Sequence, residues 1–312
     1  EYMEKHCSNS FHNSKFKSMK KQSYPQLYRQ KFLLAMLKRF NGTLNITDFM
    51  KYVFLTEYEE ANNKKFSFVP YKYGPFSFQV YADLRRLEQL SFIKFDETLS
   101  LVDNNTNYIS LLNDNDQDAI NTTFNKYFKL KGQVLLEDVC NRYPYFTIKS
   151  EIVNAKKKSI AINSNNSTPS IFTVGYEGKS IDFYLNQLIE NNIHLVIDVR
   201  KNPISMKYGF SKNFLSKTLP ELDIEYIHLP QLGIETQKRK NLNSINDYKR
   251  LFKEYEISIL NNCRTSIDTI VQLYRVKTRI ALTCFENDVK LCHRSVIARV
   301  IESNYGITVF HI

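Results

Sequence analysis

The sequence predicts an α/β domain with a mostly parallel, Rossmann-like sheet at the C-terminal end, preceded by an α-rich, winged-helix-like domain. Three observations support this prediction. Strand-like and helix-like segments alternate from residue 170 to the end of the sequence. Before residue 150, three helical patterns precede two short strand-like segments. Between the two parts, residues 151–169 are rich in asparagine, serine and lysine, which is typical of a linker.

The composition allows two domains with a core in each and favours a polyanionic partner. The chain has 312 residues, of which 43% are hydrophobic, and its formal net charge is +11. Such a basic balance favours nucleic acid among the classes of partner. No apolar run is long enough for a membrane span. The five cysteines are odd in number and scattered, as in reduced cytoplasmic proteins. We therefore expect a cytoplasmic protein that does not contact a membrane.

The first half of the chain is predicted to contain a flexible basic arm and one domain. Residues 1–24 are polar and lysine-rich without periodicity, which indicates the arm. Residues 25–150 form the predicted domain. Its elements are helices over 26–40, 47–55 and 77–89, strands at 93–95 and 100–102, a polar loop or connecting segment over 103–125, and a helix near 135–141.

One stretch of this domain resembles a known family. A Tyr-Gly-Pro-Phe turn at 73–76 precedes a helix, and the matching positions after the turn are Tyr81, Asp83, Leu84, Leu87 and Ile93. This pattern resembles the Panacea family of SocA-like antitoxin modules, found in bacterial toxin–antitoxin and defence proteins. Ser91-Phe92-Ile93 stands where the family usually has Gly-Leu-Ile. The resemblance implies that residues 25–150 interact with a protein partner or regulate it.

The second domain, residues 170–312, alternates short apolar strands with amphipathic helices. The predicted strands are 170–174, 194–200, 224–229, 279–285 and 307–312, and the predicted helices are 181–190, 214–219, 247–260, 269–274 and 295–301. Alternation of this kind predicts a mostly parallel sheet flanked by helices.

Polar side chains follow four of these strands. They are Tyr176 and Glu177 after the first strand, Asp198, Arg200 and Asn202 at the end of the second, His228 at the end of the third, and Cys284, Glu286, Cys292, His293 and Arg294 after the fourth. Because the carboxyl ends of parallel strands share one edge of the sheet, we expect these side chains to converge on a polar pocket.

Within this pocket we assign two sets of residues. The predicted catalytic residues are Glu177, Asp198, His228 and Cys292, and the predicted substrate- or phosphate-binding residues are Tyr176, Arg200, Asn202, Glu286, His293 and Arg294. Arginine side chains suit phosphate, and a tyrosine ring suits stacking on a base. A carboxylate beside a nucleoside sugar would support cleavage of an N-glycosidic bond. We expect no resident metal or cofactor.

Three other interpretations fit the same residues. Cys292, beside Arg294 at a helix start, has the setting of a reactive thiolate. The Asp198–Arg200 strand end is similar to rhodanese-like domains, although no cysteine here is followed by five residues and an arginine. A zinc site is a second alternative, formed by Cys284, Cys292, His293 and, in one version, His228, although no cysteines are closely paired in sequence. The third is a structural role, with Asp198–Arg200 and Glu286–Arg294 as ion pairs that tie loops together.

Five motifs of the second domain resemble the domain-of-unknown-function 488 family. In order they are Thr-Val-Gly-Tyr-Glu-Gly from 173, Val-Ile-Asp-Val-Arg-Lys-Asn-Pro from 196, Tyr-Gly-Phe-Ser from 208, Ile-His-Leu-Pro-Gln-Leu-Gly from 227, and Leu-Thr-Cys-Phe-Glu from 282 with Cys-His-Arg at 292–294. The family has no settled biochemical role, but its members often sit in prokaryotic settings of DNA handling and defence.

The two resemblances and the net charge together predict a nucleic-acid- or nucleotide-directed protein of bacterial, antiviral defence. In this interpretation the pocket recognises or processes DNA bases, modified ones included, and the N-terminal domain binds a protein partner. One alternative is a non-catalytic antitoxin-like or ligand-sensing regulator. Another is a rhodanese-like, cysteine-dependent transferase.

Overall fold

The computed structural model describes residues 24–96, 98–151, 168–239 and 242–312. Contacts along the chain divide it into two units, Glu1–Lys158 and Ser159–Ile312. Nearly all of the predicted basic arm and of the predicted linker lies outside the described residues. Within the described ranges, no helix combines the length and the apolar character that a membrane span requires.

The described part of the N-terminal unit is mainly helical and carries two small antiparallel sheets. Its helices are α1 (Tyr28–Arg39), α2 (Ile46–Leu55), α3 (Phe78–Gln89), α4 (Asp114–Tyr127) and α5 (Gly132–Arg142), and its strands are β1 (Thr43–Asn45), β2 (Val69–Tyr71), β3 (Gly74–Phe76), β4 (Ile93–Phe95) and β5 (Thr98–Leu101). One sheet has the order β1-β5-β4, and β2 pairs with β3 in a hairpin. Apolar side chains from α1, α2 and α3 fill one common core.

Helix α4 contradicts the polar loop predicted over residues 103–125. The Asn113 side chain accepts a hydrogen bond from the backbone N–H of Asp116 and so caps the first turn. Ala119 and Ile120 are buried against the core, but most of the helix is polar. The prediction was wrong because Asn, Asp and Thr conceal a narrow apolar face that tertiary packing stabilises.

A buried carboxyl group lies in the turn that follows α2. Residues Thr56–Glu60 continue the helix as one π-helical turn, and Glu57 within it is fully buried. Its Oε2 atom accepts a hydrogen bond from the backbone N–H of Lys65, whereas its Oε1 atom has no hydrogen-bond partner among the described residues. Burial raises the pKa of Glu57 from 4.5 to about 7. The charged form therefore costs stability near neutral pH.

Replacing Glu57 with glutamine should stabilise the N-terminal unit above pH 7. Because the pKa of Glu57 is raised in the folded state, its contribution to stability is present in full below its unfolded pKa and is lost as pH rises through about 7. With 1.36 kcal/mol per pKa unit, the variant should gain up to about 3 kcal/mol at alkaline pH and far less at acid pH. Urea unfolding at one pH value below 7 and one above 7 measures this difference. Glu137→Gln, an exposed change on α5, is the control, and an equal effect of both variants would contradict the prediction.

The C-terminal unit is an α/β fold, as predicted. Its strands are β6 (Ser170–Gly175), β7 (Leu195–Asp198), β8 (Glu225–His228), β9 (Arg279–Cys284) and β10 (Val309–His311), and its helices are α6 (Ile181–Glu190), α7 (Lys212–Thr218), α8 (Ile245–Asn262), α9 (Arg264–Lys277) and α10 (Arg294–Tyr305). The five strands form one parallel sheet in the order β10-β6-β9-β7-β8. Strands β6, β7 and β9 are buried along their whole length, which explains why they read as continuous apolar runs.

Strand β9 occupies the middle of the sheet, between β6 and β7. Cys284 at its end lies beside Gly175, and Thr283 lies beside Asp198. The carboxyl ends of three strands therefore meet where the chain leaves β9. Gly175 is required there, because a Cβ atom at this position would stand 1.9 Å from the carbonyl oxygen of Glu286. The turn after β9 thus crosses directly over the end of β6.

Candidate metal centre

The first polar group at this edge of the sheet is a buried ion pair. Asp198 is fully buried, and its carboxylate accepts hydrogen bonds from Nε of Arg200 at 2.8 Å and from Oη of Tyr226 at 2.7 Å. Arg200 also donates to the Tyr176 hydroxyl and to the Phe210 carbonyl, at 2.7 and 2.8 Å. Burial lowers the pKa of Arg200, but Asp198 outweighs it and the pKa is raised. The arginine thus stays charged and its donors are engaged inside the protein.

Tyr176, the predicted base-stacking residue, is part of the same buried cluster. Its ring lies parallel to that of Phe210 with centroids 4.2 Å apart, and only 3% of Tyr176 is exposed. The edge of Phe285 approaches the ring at a centroid distance of 5.4 Å. Stacking against a base would require Tyr176 to leave this arrangement, so its predicted role is not favoured.

Arg294 begins helix α10 and is 1% exposed. Its guanidinium donates to the backbone carbonyls of Glu286 and Asn287, the latter at 2.8 Å, and to the Thr173 hydroxyl at 3.3 Å. No carboxylate forms an ion pair with it in the part of the chain that the structure describes, so the predicted Glu286–Arg294 pair is not formed by the side chains. The geometry favours Arg294 as a support for the turn after β9 over a phosphate ligand.

The turn after β9 and the start of α10 bring together four side chains that can bind a metal ion. One ligand atom each from Cys284, Glu286, Cys292 and His293 can be chosen so that all four lie within 4.8 Å of one another. Both cysteines and the histidine are buried, and 17% of the Glu286 side chain is exposed. Two sulfur atoms, one imidazole nitrogen and one carboxylate oxygen are a donor set that Zn²⁺ accepts.

A hydrogen bond at Nε2 orients the His293 ring so that Nδ1 faces the two cysteines. Nε2 lies 3.1 Å from the carbonyl oxygen of Val199, and because a carbonyl only accepts, this nitrogen carries the proton. Nδ1 therefore has a free electron pair, and it lies 3.5 Å from Sγ of Cys284 and 3.9 Å from Sγ of Cys292. A hydrogen bond from the far ring nitrogen to a backbone carbonyl is the usual support of a metal-binding histidine.

The two thiols differ in acidity. Burial opposes ionisation of Cys284, but a hydrogen bond from Cys292 and the Arg239 guanidinium hold the pKa of Cys284 well below its usual range. Burial and the adjacent Cys284 raise the pKa of Cys292 well above it. Cys292 also precedes α10 and is fully buried. A reactive thiolate predicted at Cys292 is therefore not favoured by its surroundings.

Arg239 is the cation that contacts this group. It forms an ion pair with Glu286, and its Nη2 donates to Nδ1 of His293 at 2.8 Å. Arg239 is not among the residues predicted from sequence, because nothing in its local pattern marks it. Since Nδ1 is also the ligand atom, a metal would displace Arg239 from His293, while its ion pair with Glu286 can persist.

The remaining predicted residues lie elsewhere along the edge. Glu177 accepts a hydrogen bond from the backbone N–H of Asn287 at 3.1 Å. His228 approaches the carbonyl oxygen of Arg200 through Nε2 at 2.8 Å. The zinc alternative with His228 as a ligand is therefore corrected, because the group of donors contains Glu286 and not His228. Asn202 is exposed in the loop after β7. The structure thus places the ten predicted residues along one edge of the sheet, in two buried groups and a few exposed positions.

Residues 180–301 match the model of a family described as "Domain of unknown function DUF488". This match confirms the family resemblance for the C-terminal unit, and it includes all four donor residues of the metal group. Searches of curated proteins and of solved structures found no match. The Panacea resemblance of residues 25–150 stays a prediction.

Proposed function

We propose that the C-terminal unit is a metal-binding domain that holds a zinc-type cation between Cys284, Glu286, Cys292 and His293. The observation that carries the proposal is the convergence of four donor atoms of suitable chemistry within 4.8 Å. Zinc bonds of about 2.0–2.3 Å place tetrahedral ligands roughly 4 Å apart or less. Small side-chain movements would therefore close the four donors onto an ion.

The negative charge of the group supports a cation there. Sγ of Cys284, a thiol of lowered pKa, lies 3.2 Å from Oε2 of the Glu286 carboxylate, and the Arg239 guanidinium contacts both this carboxylate and the imidazole of His293. A divalent ion would compensate the same charges and would also bind the second thiol after its proton leaves. Arg239 thus compensates part of the charge that a metal ion at this position would compensate.

Glu286 differs from the other three donors, and this difference suggests hydrolytic chemistry. It is the most exposed donor and is held by Arg239, whereas Cys284, Cys292 and His293 are deeply buried. Zinc held by two cysteines and one histidine leaves a fourth position for water or substrate in catalytic sites. Released from the ion, Glu286 would stand beside that position as an acid or base. We therefore propose metal-assisted hydrolysis as the reaction class, with N-glycosidic and other nucleic-acid bonds as candidate targets.

The net charge of the chain and the family resemblance support the proposed substrate class and biological setting. The net charge of +11 supports a nucleic-acid- or nucleotide-directed protein, and the wider proposal is a role in bacterial defence. For the N-terminal unit we propose a winged-helix-like module that binds a protein partner. The order α1, β1, α2, β2, β3, α3, β4 and β5 supports this proposal, because three helices precede the antiparallel pair β4–β5.

A non-catalytic, ligand-sensing regulator is the second candidate function. The observation in its favour is that Asp198 and Arg200, which were expected to act on substrate, are buried and bonded to each other. In that case the metal would have a structural role only. The Glu286→Gln variant distinguishes the two functions. If it keeps its metal but forms no reaction product, the protein is an enzyme. If its biological activity is unchanged, the protein is a non-catalytic regulator.

The purified protein should contain close to one zinc ion per chain, and Cys292→Ser or His293→Ala should lose most of it. Removing one of the deep donors leaves too few ligands for a closed site. Elemental analysis after dialysis measures the metal content. Cys263→Ser is the matched control, because Cys263 is a free cysteine outside the group. Equal zinc in all variants, or none in the wild-type protein after purification with added zinc, would contradict the proposal.

A further inference from the structure

The segment that follows β7 is strongly basic. Between Val199 and Pro220 the chain carries five cations and no aspartate or glutamate; the cations are Arg200, Lys201, Lys207, Lys212 and Lys217. Arg200 is neutralised by Asp198, but Lys212 and Lys217 are exposed. A surface with an excess of positive charge attracts polyanions, and this attraction weakens as the salt concentration rises.

Two large apolar side chains interrupt this basic segment at its most exposed point. Ile204 is 84% exposed and Met206 is 102% exposed. The loop is closed by a hydrogen bond from the backbone N–H of Lys212 to the carbonyl of Pro203 at 2.8 Å. Single exposed apolar residues are common, but two of them at alternate positions of a closed, basic loop form a surface suited to a partner with both charge and apolar faces.

This loop lies beside the metal centre through Tyr176. The Lys207 ammonium donates to the Tyr176 carbonyl at 3.1 Å, and the Tyr176 ring contacts Phe285. Phe285 stands between the donor residues Cys284 and Glu286 and is 42% exposed, and Tyr208 in the loop is 40% exposed. Two aromatic rings are thus partly open to solvent, Tyr208 within the basic segment and Phe285 within the turn that carries the donor residues.

We propose that Lys201–Lys217 and Phe285, here called the basic loop surface, bind single-stranded nucleic acid. The lysines would contact phosphates, and the side chains of Tyr208, Phe285, Ile204 and Met206 would contact unstacked bases. Positive charge beside aromatic rings is the combination that single-strand binding proteins use. An anionic lipid surface would satisfy the lysines but would leave no role for aromatic rings beside a buried metal centre. The inference rests on the proposed function, because it brings a strand to that centre.

Binding of a fluorescent oligothymidine to the full chain tests the inference. The double variant Ile204→Ser/Met206→Ser should weaken binding by about ten-fold, or about 1.4 kcal/mol, because the apolar contacts of both side chains with bases are lost. Lys212→Ala/Lys217→Ala should lower the slope of log K against log salt by about 1.4, from two lost phosphate contacts. The wild-type protein should also bind a duplex of the same length more weakly than the single strand.

The matched control is Ile257→Ser/Val276→Ser, which removes two exposed apolar side chains from α8 and α9. It should bind as the wild-type protein does, and all loop variants should keep their zinc. Unchanged oligothymidine binding in both loop variants would overturn the inference, as would binding to anionic phosphatidylserine vesicles without binding to the oligonucleotide. If the wild-type protein lacks zinc but the loop variants still weaken binding, the metal proposal fails and this inference stands.

Discussion

Replacing Asp198 with asparagine should lower the free energy of unfolding of the C-terminal unit by about 3–5 kcal/mol. The change keeps the shape of the side chain but removes the charge that compensates Arg200. Both residues are buried, and the carboxylate accepts bonds from the Arg200 side chain and from Tyr226. An uncompensated guanidinium would then remain in the core. Urea unfolding of the wild-type protein and the variant measures the difference.

Glu256→Gln provides the control for the loss of an ion pair. It breaks the Arg299–Glu256 pair, in which both side chains are well exposed, and should cost at most about 1 kcal/mol. The double change Asp198→Asn/Arg200→Met should recover part of the stability, because no buried charge is then left alone. If Asp198→Asn retains full stability and abolishes only activity, Asp198 acts on substrate, which is the role that its place at a strand end predicts.

Replacing Arg294 with methionine should destabilise the same unit by about 3–5 kcal/mol and should also weaken metal binding. Methionine fills much of the buried volume but cannot donate to the carbonyls of Glu286 and Asn287. Charge-assisted hydrogen bonds contribute about 1.5–3 kcal/mol each, and the orphaned carbonyls stay buried. The turn that positions Glu286 would then lose its support. Unfolding in urea and zinc titration measure the two effects.

Arg299→Met on the same helix is the control, because Arg299 is 57% exposed and pairs only with Glu256 among the described residues. It should change the free energy of unfolding by less than about 1 kcal/mol. Lysine at position 294 should not restore stability, because an ammonium does not provide the planar fork of a guanidinium. An Arg294→Met protein of normal stability and zinc content that no longer binds nucleic acid would identify Arg294 as a phosphate ligand.

The C-terminal fold could be predicted because its signals are local. Strands β6, β7 and β9 are buried on both faces, so each appears in the sequence as an apolar run followed by polar residues. Parallel pairing then forces those polar residues to one edge. The order of the strands could not be predicted, because β9 lies between β6 and β7 through contacts that are distant in sequence.

The roles within the site were harder to predict than its place. The residue types at the strand ends suggested a pocket, but whether Arg200 and Arg294 face solvent depends on Phe210, Tyr226 and the carbonyls of a turn. No sequence pattern reveals such contacts. An arginine and a carboxylate at a strand end are equally consistent with a substrate site and with a buried ion pair.

The metal group was also difficult to predict from the sequence. Cys284 and Cys292 are too far apart in sequence to resemble a paired zinc motif, and this spacing argued against a metal. The turn between them folds back, with a short helical turn at Val289–Leu291, and brings both thiols beside His293. The available signal was the Cys-x-Glu spacing together with the adjacent Cys-His pair. Arg239 gave no signal, because it reaches the group from a distant segment.

Zinc K-edge X-ray absorption of the zinc-loaded protein tests the metal centre most directly. The expected spectrum contains two sulfur ligands at about 2.3 Å and two nitrogen or oxygen ligands at about 2.0–2.1 Å. Cys292→Ser should remove one sulfur ligand from the zinc that remains, and Cys263→Ser should leave the spectrum unchanged. A zinc shell without sulfur, or one that is the same in the wild-type protein and Cys292→Ser, would contradict binding by Cys284, Glu286, Cys292 and His293.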